Sequence, residues 1–132
     1  VLTPGTHAST FGGSPLVCAA GLAVFEAIEK QRLLARVASF GQVIVERLTA
    51  LKARCPIIQE VRGRGLMIGL ELTIDGRPLA DACRAKRLLI NCTQQRVLRL
   101  LPAMTITRAQ LDRALDILEG VLMEFARRPV VG

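Results

Sequence analysis

A loop rich in small hydroxyl residues and glycine opens the sequence and could bind an anion. Ser9 and Thr10 supply hydroxyl donors, and Gly12 and Gly13 leave backbone amides accessible. Ser14-Pro15 follows as a helix-start signal, in which the Ser14 side chain is expected to cap the free amides and Pro15 to take the first helical position. The positive end of that helix would point back at the loop. Together these features fit a cradle for a phosphate or a carboxylate. The same composition also fits a loop that only turns and caps the helix, so the residues alone leave both interpretations open.

Arg99 is the second candidate, because it interrupts an apolar strand pattern over 97–101. A charge in such a strand must be paired or face a site, and a planar guanidinium suits a carboxylate. The alternative is an arginine on the solvent face of an alternating strand. A structural role is favoured for Arg62 and Arg64, which flank glycines, and the solvent face is favoured for Glu71.

Other groups that could do chemistry are sparse. The cysteines at 18, 55, 83 and 92 form no CxxC pair and His7 is the lone histidine, so no metal site is expected. We expect the cysteines to be reduced, buried and apolar. The sequence has no Ser-His-Asp set, paired-acid motif or Walker loop, so no catalytic residue is predicted in this chain.

The composition indicates one globular domain. The chain has 132 residues, 51% of them hydrophobic and 22% charged, and a net charge of +7. That charge would permit an acidic partner, but the absence of Trp and Tyr argues against a single-strand nucleic-acid binder. No apolar run reaches the length that spans a membrane, and no secretory signal is visible. We therefore expect neither a nucleic-acid nor a membrane partner, and a cytoplasmic location.

Periodicity and turn signals predict an α+β fold with a small, mostly antiparallel sheet covered on one side by helices. The charge-free stretch 16–23 is expected to be buried on every face. The last helix is expected to begin at the capping box Thr107-x-x-Gln110 and to end at Arg127-Arg128-Pro129. Its expected buried face consists of Leu111, Leu115, Leu118, Leu122 and Phe125. In chain order the pattern predicts a loop over 1–13, helices over about 15–30 and 33–53, strands over 57–62 and 66–72, a helix over 78–87, strands over 88–90 and 97–101, and this last helix.

Three segments carry a family resemblance. In order, they are residues 6–20 (THASTFGGSPLVCAA), residues 61–72 (VRGRGLMIGLEL), and the pair 88–91 (LLIN) and 97–102 (VLRLLP). They resemble motifs of the class III pyridoxal-phosphate aminotransferases, and their wording is most similar to the acetylornithine branch of that family. The resemblance covers essentially all of this chain but only about the last third of the family's chain.

The resemblance implies a fold-type-I transferase that binds pyridoxal 5'-phosphate. Residues 15–132 would form its small C-terminal domain with the leading helices, and residues 1–14 an active-site loop from the large-domain side. By the same resemblance, Thr10 binds the cofactor phosphate across a dimer interface and Ser9 contacts the acylated ornithine. Arg99 would bind the substrate α-carboxylate.

The sequence departs from the family pattern at several positions. Ala8 and Ser14 replace the usual Gly and Asn, and Ala103 stands where a second Pro is common. The lysine that binds the cofactor covalently, the aspartate that pairs with its pyridine nitrogen and the glycine-rich phosphate turn all lie upstream in the family. Lys30, Lys52 and Lys86 lack the context of that lysine. We therefore expect this chain by itself to be inactive.

The resemblance implies the C-terminal part of a homodimeric enzyme that transfers an amino group from N-acetylornithine to 2-oxoglutarate in arginine biosynthesis. A first residue other than Met and an unanchored opening loop lead us to expect a piece of a longer protein. The open alternatives are an ornithine, succinylornithine or 4-aminobutyrate aminotransferase, and a free-standing, non-catalytic module that partners a separate large domain. A basic nucleic-acid binder is a third alternative.

Overall fold

The computed structural model describes residues 3–127 of the chain. Residues 1–2 of the predicted loop, and Arg128 and Pro129 of the predicted helix end, lie outside the described residues. The chain divides into two units, residues 1–34 and 35–132, which are described separately. The expected division between residues 1–14 and 15–132 concerns the complete protein and stays a prediction.

The first unit is a loop followed by helix α1 (Pro15–Lys30). Pro15 occupies the first turn as predicted, but the Ser14 side chain makes no capping hydrogen bond, so that part of the prediction is wrong. The Ser14 carbonyl oxygen accepts a hydrogen bond from the Cys18 amide at 2.9 Å. The helix therefore begins where the sequence predicts, without a side chain on its first free amides.

Helix α1 has no buried residue, which contradicts the expected burial of 16–23 on every face. The side chains of Leu16, Leu22 and Phe25 are 81%, 65% and 69% exposed. The first unit contains one helix and a short loop, and it offers no second apolar surface on which that helix could pack. An apolar pattern predicts that a helix needs a partner, and it does not say that the same unit supplies one.

The second unit holds the sheet. In chain order the elements after α1 are α2 (Leu33–Lys52), β1 (Ile58–Arg64), β2 (Met67–Leu72), α3 (Arg77–Ala85), β3 (Asn91–Thr93), β4 (Val97–Leu100) and α4 (Arg108–Ala126). The four strands form one sheet in the order β1-β2-β4-β3, and every neighbouring pair is antiparallel. The predicted α+β class and antiparallel sheet are confirmed.

Strand β1 is longer than predicted. Arg62 pairs with Gly69 and Arg64 pairs with Met67, so this segment continues the ladder instead of interrupting it. The turn follows at Gly65, whose φ of 55° is a left-handed conformation that glycine adopts without steric cost. The strand predicted over 57–62 therefore continues to Arg64, and the turn begins after it.

Strand β3 begins at Asn91, whereas the sequence predicts a strand over 88–90. The reason is the end of α3, where Arg87 has a φ of 65°. The Leu88 amide donates to the Cys83 carbonyl at 2.9 Å, and the Arg87 amide donates to the Arg84 carbonyl at 2.9 Å. This pair of bonds is a Schellman motif, in which glycine usually holds the left-handed position. The motif uses the residues around Leu88 to terminate the helix, so the strand starts later.

One hydrophobic core joins the sheet to helices α2, α3 and α4. The predicted apolar face of α4 is confirmed, with Val121 as an additional buried residue and Phe125 only partly buried. The capping box is also confirmed, because the Gln110 amide donates to Thr107 Oγ1 at 3.2 Å and the Thr107 amide donates to Gln110 Oε1 at 2.9 Å. The fully buried large side chains are Ile44, Leu48, Leu51, Ile68, Leu70, Leu72, Leu79, Leu98, Leu115, Leu118, Val121 and Leu122.

A backbone contact between two glycines sets how closely α2 approaches the β1–β2 turn. A β-carbon on Gly41 would lie 2.2 Å from the carbonyl oxygen of Gly65. That separation is far shorter than any van der Waals contact, so helix and turn could not both keep their places. Gly41 thus stands inside a helix despite its poor helix propensity, because only hydrogen fits there.

A matched pair of glycine substitutions tests this contact. Gly41→Ala should lower the free energy of unfolding by about 2–3 kcal/mol, because the new methyl group overpacks the interior. Gly120 lies inside α4, and a β-carbon there would meet nothing within 4 Å. Gly120→Ala should therefore raise the free energy of unfolding by about 1 kcal/mol through helix propensity. Urea unfolding followed by circular dichroism measures both, and equal shifts in the two variants would contradict the close approach.

Candidate functional site

Arg99 lies on the open face of the sheet, opposite the core. Within β4, Leu98 is fully buried while Arg99 is exposed, as expected for the alternation of a strand with one covered face. Its cross-strand neighbours are Gly69 on β2 and Asn91 on β3. The sequence left a solvent face and a binding site as alternatives for Arg99, and its exposed position is compatible with both.

Two concave surfaces meet at Arg99. One is an apolar cavity of about 110 Å³ whose wall includes Leu89, Leu101 and Pro102. The other is a shallower depression where Arg84 and Asn91 join Arg99. Leu89 and Leu101 are 86% and 62% exposed. The guanidinium therefore stands beside apolar surface, where an ionic hydrogen bond to a ligand would be less exposed to competing water.

Arg99 differs from the neighbouring charged groups in having no partner. Across residues 3–127, its guanidinium makes no ion pair and no side-chain hydrogen bond. Arg84 is paired with Asp81 at 3.1 Å, and both groups are largely exposed. A free guanidinium presents its planar donor fork to solution, and that fork matches the two oxygens of a carboxylate.

Arg62 and Glu71 take part in one ion-pair group on the same face of the sheet. Arg62 Nη1 donates to Glu60 Oε2 at 2.6 Å and also to Glu71 Oε2. The hydrogen bond with Glu71 is the largest cause that raises the pKa of the Arg62 guanidinium. These contacts agree with the structural role favoured for Arg62 from the sequence.

The loop of the first unit places its two candidate hydroxyls in different situations. Ser9 Oγ accepts a hydrogen bond from the Gly12 amide at 3.0 Å, so one of the amides expected to be free is already used. Thr10 is exposed, and its hydroxyl has no partner within the part of the chain that the structure describes. Gly13 has a φ of 78° and remains the glycine that turns the chain into α1. The roles of Ser9, Thr10 and Arg99 stay predictions.

The opening loop and the lysines differ in how well they fit a phosphate-bearing cofactor. The free Thr10 hydroxyl precedes a helix whose first amides carry no side-chain cap, and both features favour an anion. No covalent attachment point accompanies them among the described residues, because Lys30 pairs with Glu26 at 2.8 Å, Lys86 pairs with Glu124 at 3.3 Å, and Lys52 is exposed on α2. The loop thus fits the phosphate of pyridoxal phosphate, and within residues 3–127 no lysine accompanies it as an attachment point.

Three of the four cysteines have thiols that burial makes harder to ionise. Burial raises the pKa of the Cys83 thiol to about 11, and it also raises the pKa of Cys55 and of Cys92. Cys55 and Cys83 are buried as expected, but Cys18 is exposed and Cys92 is only partly buried, which corrects the expectation for these two. Cys18 lies on α1, the helix that the first unit leaves uncovered.

Within residues 3–127, no group of three or more His, Cys, Asp or Glu side chains could hold a metal ion. A search of the same described residues for a helix long and apolar enough to cross a membrane found none.

Sequence reasoning missed the surroundings of Arg99. Asn91 and Gly69 become its neighbours through strand register. Leu89 lies before the late start of β3 and Leu101 after the end of β4, and both line the depression at Arg99. Register depends on which strands pair, and the order β1-β2-β4-β3 is not readable from one sequence. The signal that existed was the repeated apolar-polar alternation on β2 and β4, which places Gly69 and Arg99 on the uncovered face.

Comparisons with known proteins point to one family. The model of the family described as "Aminotransferase class-III" matches residues 1–122. An ornithine aminotransferase of an Exiguobacterium species is 42% identical over 122 residues, which are 92% of this chain and 30% of that protein. An acetylornithine aminotransferase of Methanosarcina mazei is 46% identical over 115 residues, 87% of this chain and 29% of that protein. The chain thus spans about 30% of the length of the curated relatives it matches.

Solved structures agree with this similarity. The ornithine aminotransferase from Toxoplasma gondii, described with partial occupancy of PLP at its active site, superposes with a TM-score of 0.85 at 29% identity. The match covers 96% of this chain and 32% of that chain. The fold described above is therefore also found as one part of a larger aminotransferase.

Proposed function

Since the chain belongs to the class-III aminotransferase family, we propose that it is the C-terminal part of an enzyme that transfers an amino group from N-acetylornithine to 2-oxoglutarate in arginine biosynthesis. The observation that carries the proposal is the unpaired Arg99 guanidinium beside an apolar cavity. The α-nitrogen of N-acetylornithine is acylated, so its terminal amino group is the one transferred. 2-Oxoglutarate instead reacts at the carbon next to its α-carboxylate, and Arg99 would hold that carboxylate. The relatives named acetylornithine aminotransferase support the choice of donor.

Ornithine is the second candidate donor, because an ornithine aminotransferase is among the similar relatives at 42% identity. Succinylornithine and 4-aminobutyrate aminotransferases are further members of the same class. Initial rates of the complete enzyme with these four donors distinguish them. A preference for N-acetylornithine of less than a factor of two over each rival would contradict the proposed donor.

A non-catalytic module is the alternative from another class. The coding sequence directly 5′ of Val1 separates the two, because an in-frame large domain with the cofactor lysine is required by our proposal. A stop codon directly upstream would favour the module.

Pyridoxal phosphate, when bound, supplies the electron-withdrawing ring through which amino groups are exchanged. In this chain, Thr10 would donate a hydrogen bond to its phosphate, with the positive end of α1 adding a favourable field. Ser9 would contact the acyl group of the donor, since its hydroxyl proton remains available while its oxygen accepts from Gly12. Arg99 would hold and orient the α-carboxylate.

A large domain of the same enzyme and a second subunit are the proposed partners, together with a cytoplasmic location. The exposed apolar side chains of α1 support the two proposed partners. Leu16 and Phe25 are 81% and 69% exposed, and such a surface usually marks an interface. The family resemblance implies that Thr10 contacts a cofactor bound across a dimer interface. A homodimer is therefore part of the proposal.

The chain by itself should be inactive and prone to associate. With pyridoxal phosphate and borohydride it should give no stoichiometric adduct on a single lysine, because Lys30, Lys52 and Lys86 lie exposed on helices or at their ends. Its uncovered α1 should bind a hydrophobic dye and self-associate at micromolar concentration. One trappable lysine adduct per chain, or a monodisperse and dye-silent monomer, would contradict this expectation.

Thr10 and Ser9 should separate into cofactor and substrate roles in the complete enzyme. Thr10→Ala should weaken retention of pyridoxal phosphate by about 1.5–3 kcal/mol, the range for a hydrogen bond to a charged group. Ser9→Ala should retain the cofactor and raise the Michaelis constant for the acylated donor. Cofactor release on dilution and steady-state kinetics measure these effects, and equal cofactor loss in both variants would refute the separate roles.

Arg99→Lys should lower kcat/KM for 2-oxoglutarate, because an ammonium cannot reproduce the two parallel bonds of a guanidinium. The loss should be on the order of tenfold to a hundredfold, as for one or two charge-assisted hydrogen bonds. The absorbance spectrum of the bound cofactor should be unchanged. Unaltered kinetics would indicate that Arg99 is a solvated residue on the open face of the sheet and does not bind substrate.

A further inference from the structure

The chain between Thr10 and helix α1 is a single tight turn. The Ser14 amide donates to the Phe11 carbonyl oxygen at 3.3 Å, and Gly13, the third residue of this turn, has a φ of 78°. Such a φ together with this hydrogen bond is typical of a type II turn, which requires glycine or asparagine at that position. Thr10 directly precedes the turn, so the conformation of Gly13 sets the direction in which the chain leaves Thr10 for α1.

The residues on the helix side of Gly13 leave the chain little other freedom. The ring of Pro15 fixes its own φ, and a residue that precedes proline is restricted to extended conformations. Ser14 is extended, with a φ of −66° and a ψ of 151°. Gly13 is therefore the position at which the chain turns, and it does so in a left-handed conformation that other residues adopt only with strain.

A second hydrogen bond near Thr10 constrains the loop less firmly. The Gly12 amide donates to Ser9 Oγ at 3.0 Å, and because this bond is exposed, water competes for both groups and its net contribution is modest. No water molecule can substitute for a backbone angle in the same way. A β-carbon at Gly13 would meet no atom of the described residues within 4 Å, so the constraint at Gly13 comes from conformation and not from crowding.

We propose that Gly13 is a positioning residue, which holds the Thr10 hydroxyl where it can donate to the cofactor phosphate. This inference rests on the role proposed for Thr10. Gly13 acts through the turn and not through a contact of its own. A residue that disfavours the turn would let the free loop leave it, and binding of the cofactor would then have to restore it.

Titration of the cofactor-free complete enzyme with pyridoxal phosphate tests the proposal, with the absorbance of the bound cofactor as the signal. Gly13→Ala should raise Kd about fivefold, because alanine disfavours the left-handed conformation and the competent loop becomes a minor form. Gly13→Asn should keep Kd within about twofold of the parent value, because asparagine tolerates this position of a type II turn. Equal losses in the two variants would contradict the proposal, since bulk and not backbone strain would then be the cause.

A similar turn earlier in the same loop provides the matched control. The Thr6 amide donates to the Thr3 carbonyl oxygen at 3.1 Å, and Gly5 has a φ of 83° with no described atom within 4 Å of a β-carbon. Gly5→Ala therefore introduces the same strain in a turn that does not adjoin Thr10, and it should change Kd less than about twofold. An equal rise for Gly5→Ala and Gly13→Ala would overturn the proposal in favour of a general loosening of the loop.

Pyridoxal, which lacks the phosphate, shows whether the effect passes through that group. Gly13→Ala should leave the Kd for pyridoxal within about twofold of the parent value, because the Thr10 hydroxyl has no phosphate to bind there. In a Thr10→Ala background, Gly13→Ala should add less than about twofold to the Kd for pyridoxal phosphate, since two residues that act through one bond are not additive. Equal losses of affinity for the two compounds would indicate a general structural role and overturn the proposal.

The series also separates this inference from the proposed function. If Thr10→Ala weakens retention of the cofactor while Gly13→Ala behaves like Gly5→Ala, the positioning role is wrong and the role of Thr10 stands. If Thr10→Ala retains the cofactor as well as the parent enzyme does, the phosphate role of Thr10 fails and the positioning role fails with it. A parent enzyme that does not bind pyridoxal phosphate would refute the proposed function itself.

Discussion

The burial of Leu98 is the interaction on which the placement of the site depends. Leu98 is fully buried in the core between sheet and helices, and Arg99, the next residue of β4, therefore faces the opposite side. A slip of one residue in register would bury Arg99 and expose Leu98, at the cost of an unpaired charge in an apolar interior. Hydrophobic burial thus fixes the direction of the charged side chain. The pairings of Arg99 with Gly69 and with Asn91 follow from the same register.

Features that depend on local sequence were predictable. The capping box at Thr107, the apolar face of α4 and the exposed charge in β4 are set by side chains within a few residues of one another. Features that depend on partners were not. The sequence could not show that Arg87 takes the left-handed position at the end of α3, which delays β3, or that α1 lies uncovered in this chain. The neighbours of Arg99 depend on strand order, which one sequence does not encode in a readable form.

The open face of the sheet carries its charges in two groups with different consequences. Glu60, Arg62 and Glu71 satisfy one another, so this group can stay ionised and needs no ligand. Arg99 pairs with Gly69 from the β4 side and has no side-chain partner within residues 3–127. The Val97 side chain lies over this glycine, because a β-carbon there would be 3.4 Å from Val97 Cγ1. The two groups of charges thus differ in whether the described residues already satisfy them.

Both groups that the family resemblance assigns to anion binding lack partners within the described chain, while similar groups nearby have them. Ser9 accepts from Gly12 whereas the Thr10 hydroxyl is free, and Arg62 is doubly paired whereas Arg99 is free. An exposed polar group without a protein partner costs little, because water satisfies it. Such a group contributes little to folding, and removing it should leave the fold almost unaffected. Its value lies in the charge-assisted bonds that it can form with an anion once water is displaced. Packing therefore restricts Leu98 and Gly41, whereas no contact within the described residues restricts the Thr10 hydroxyl or the Arg99 guanidinium.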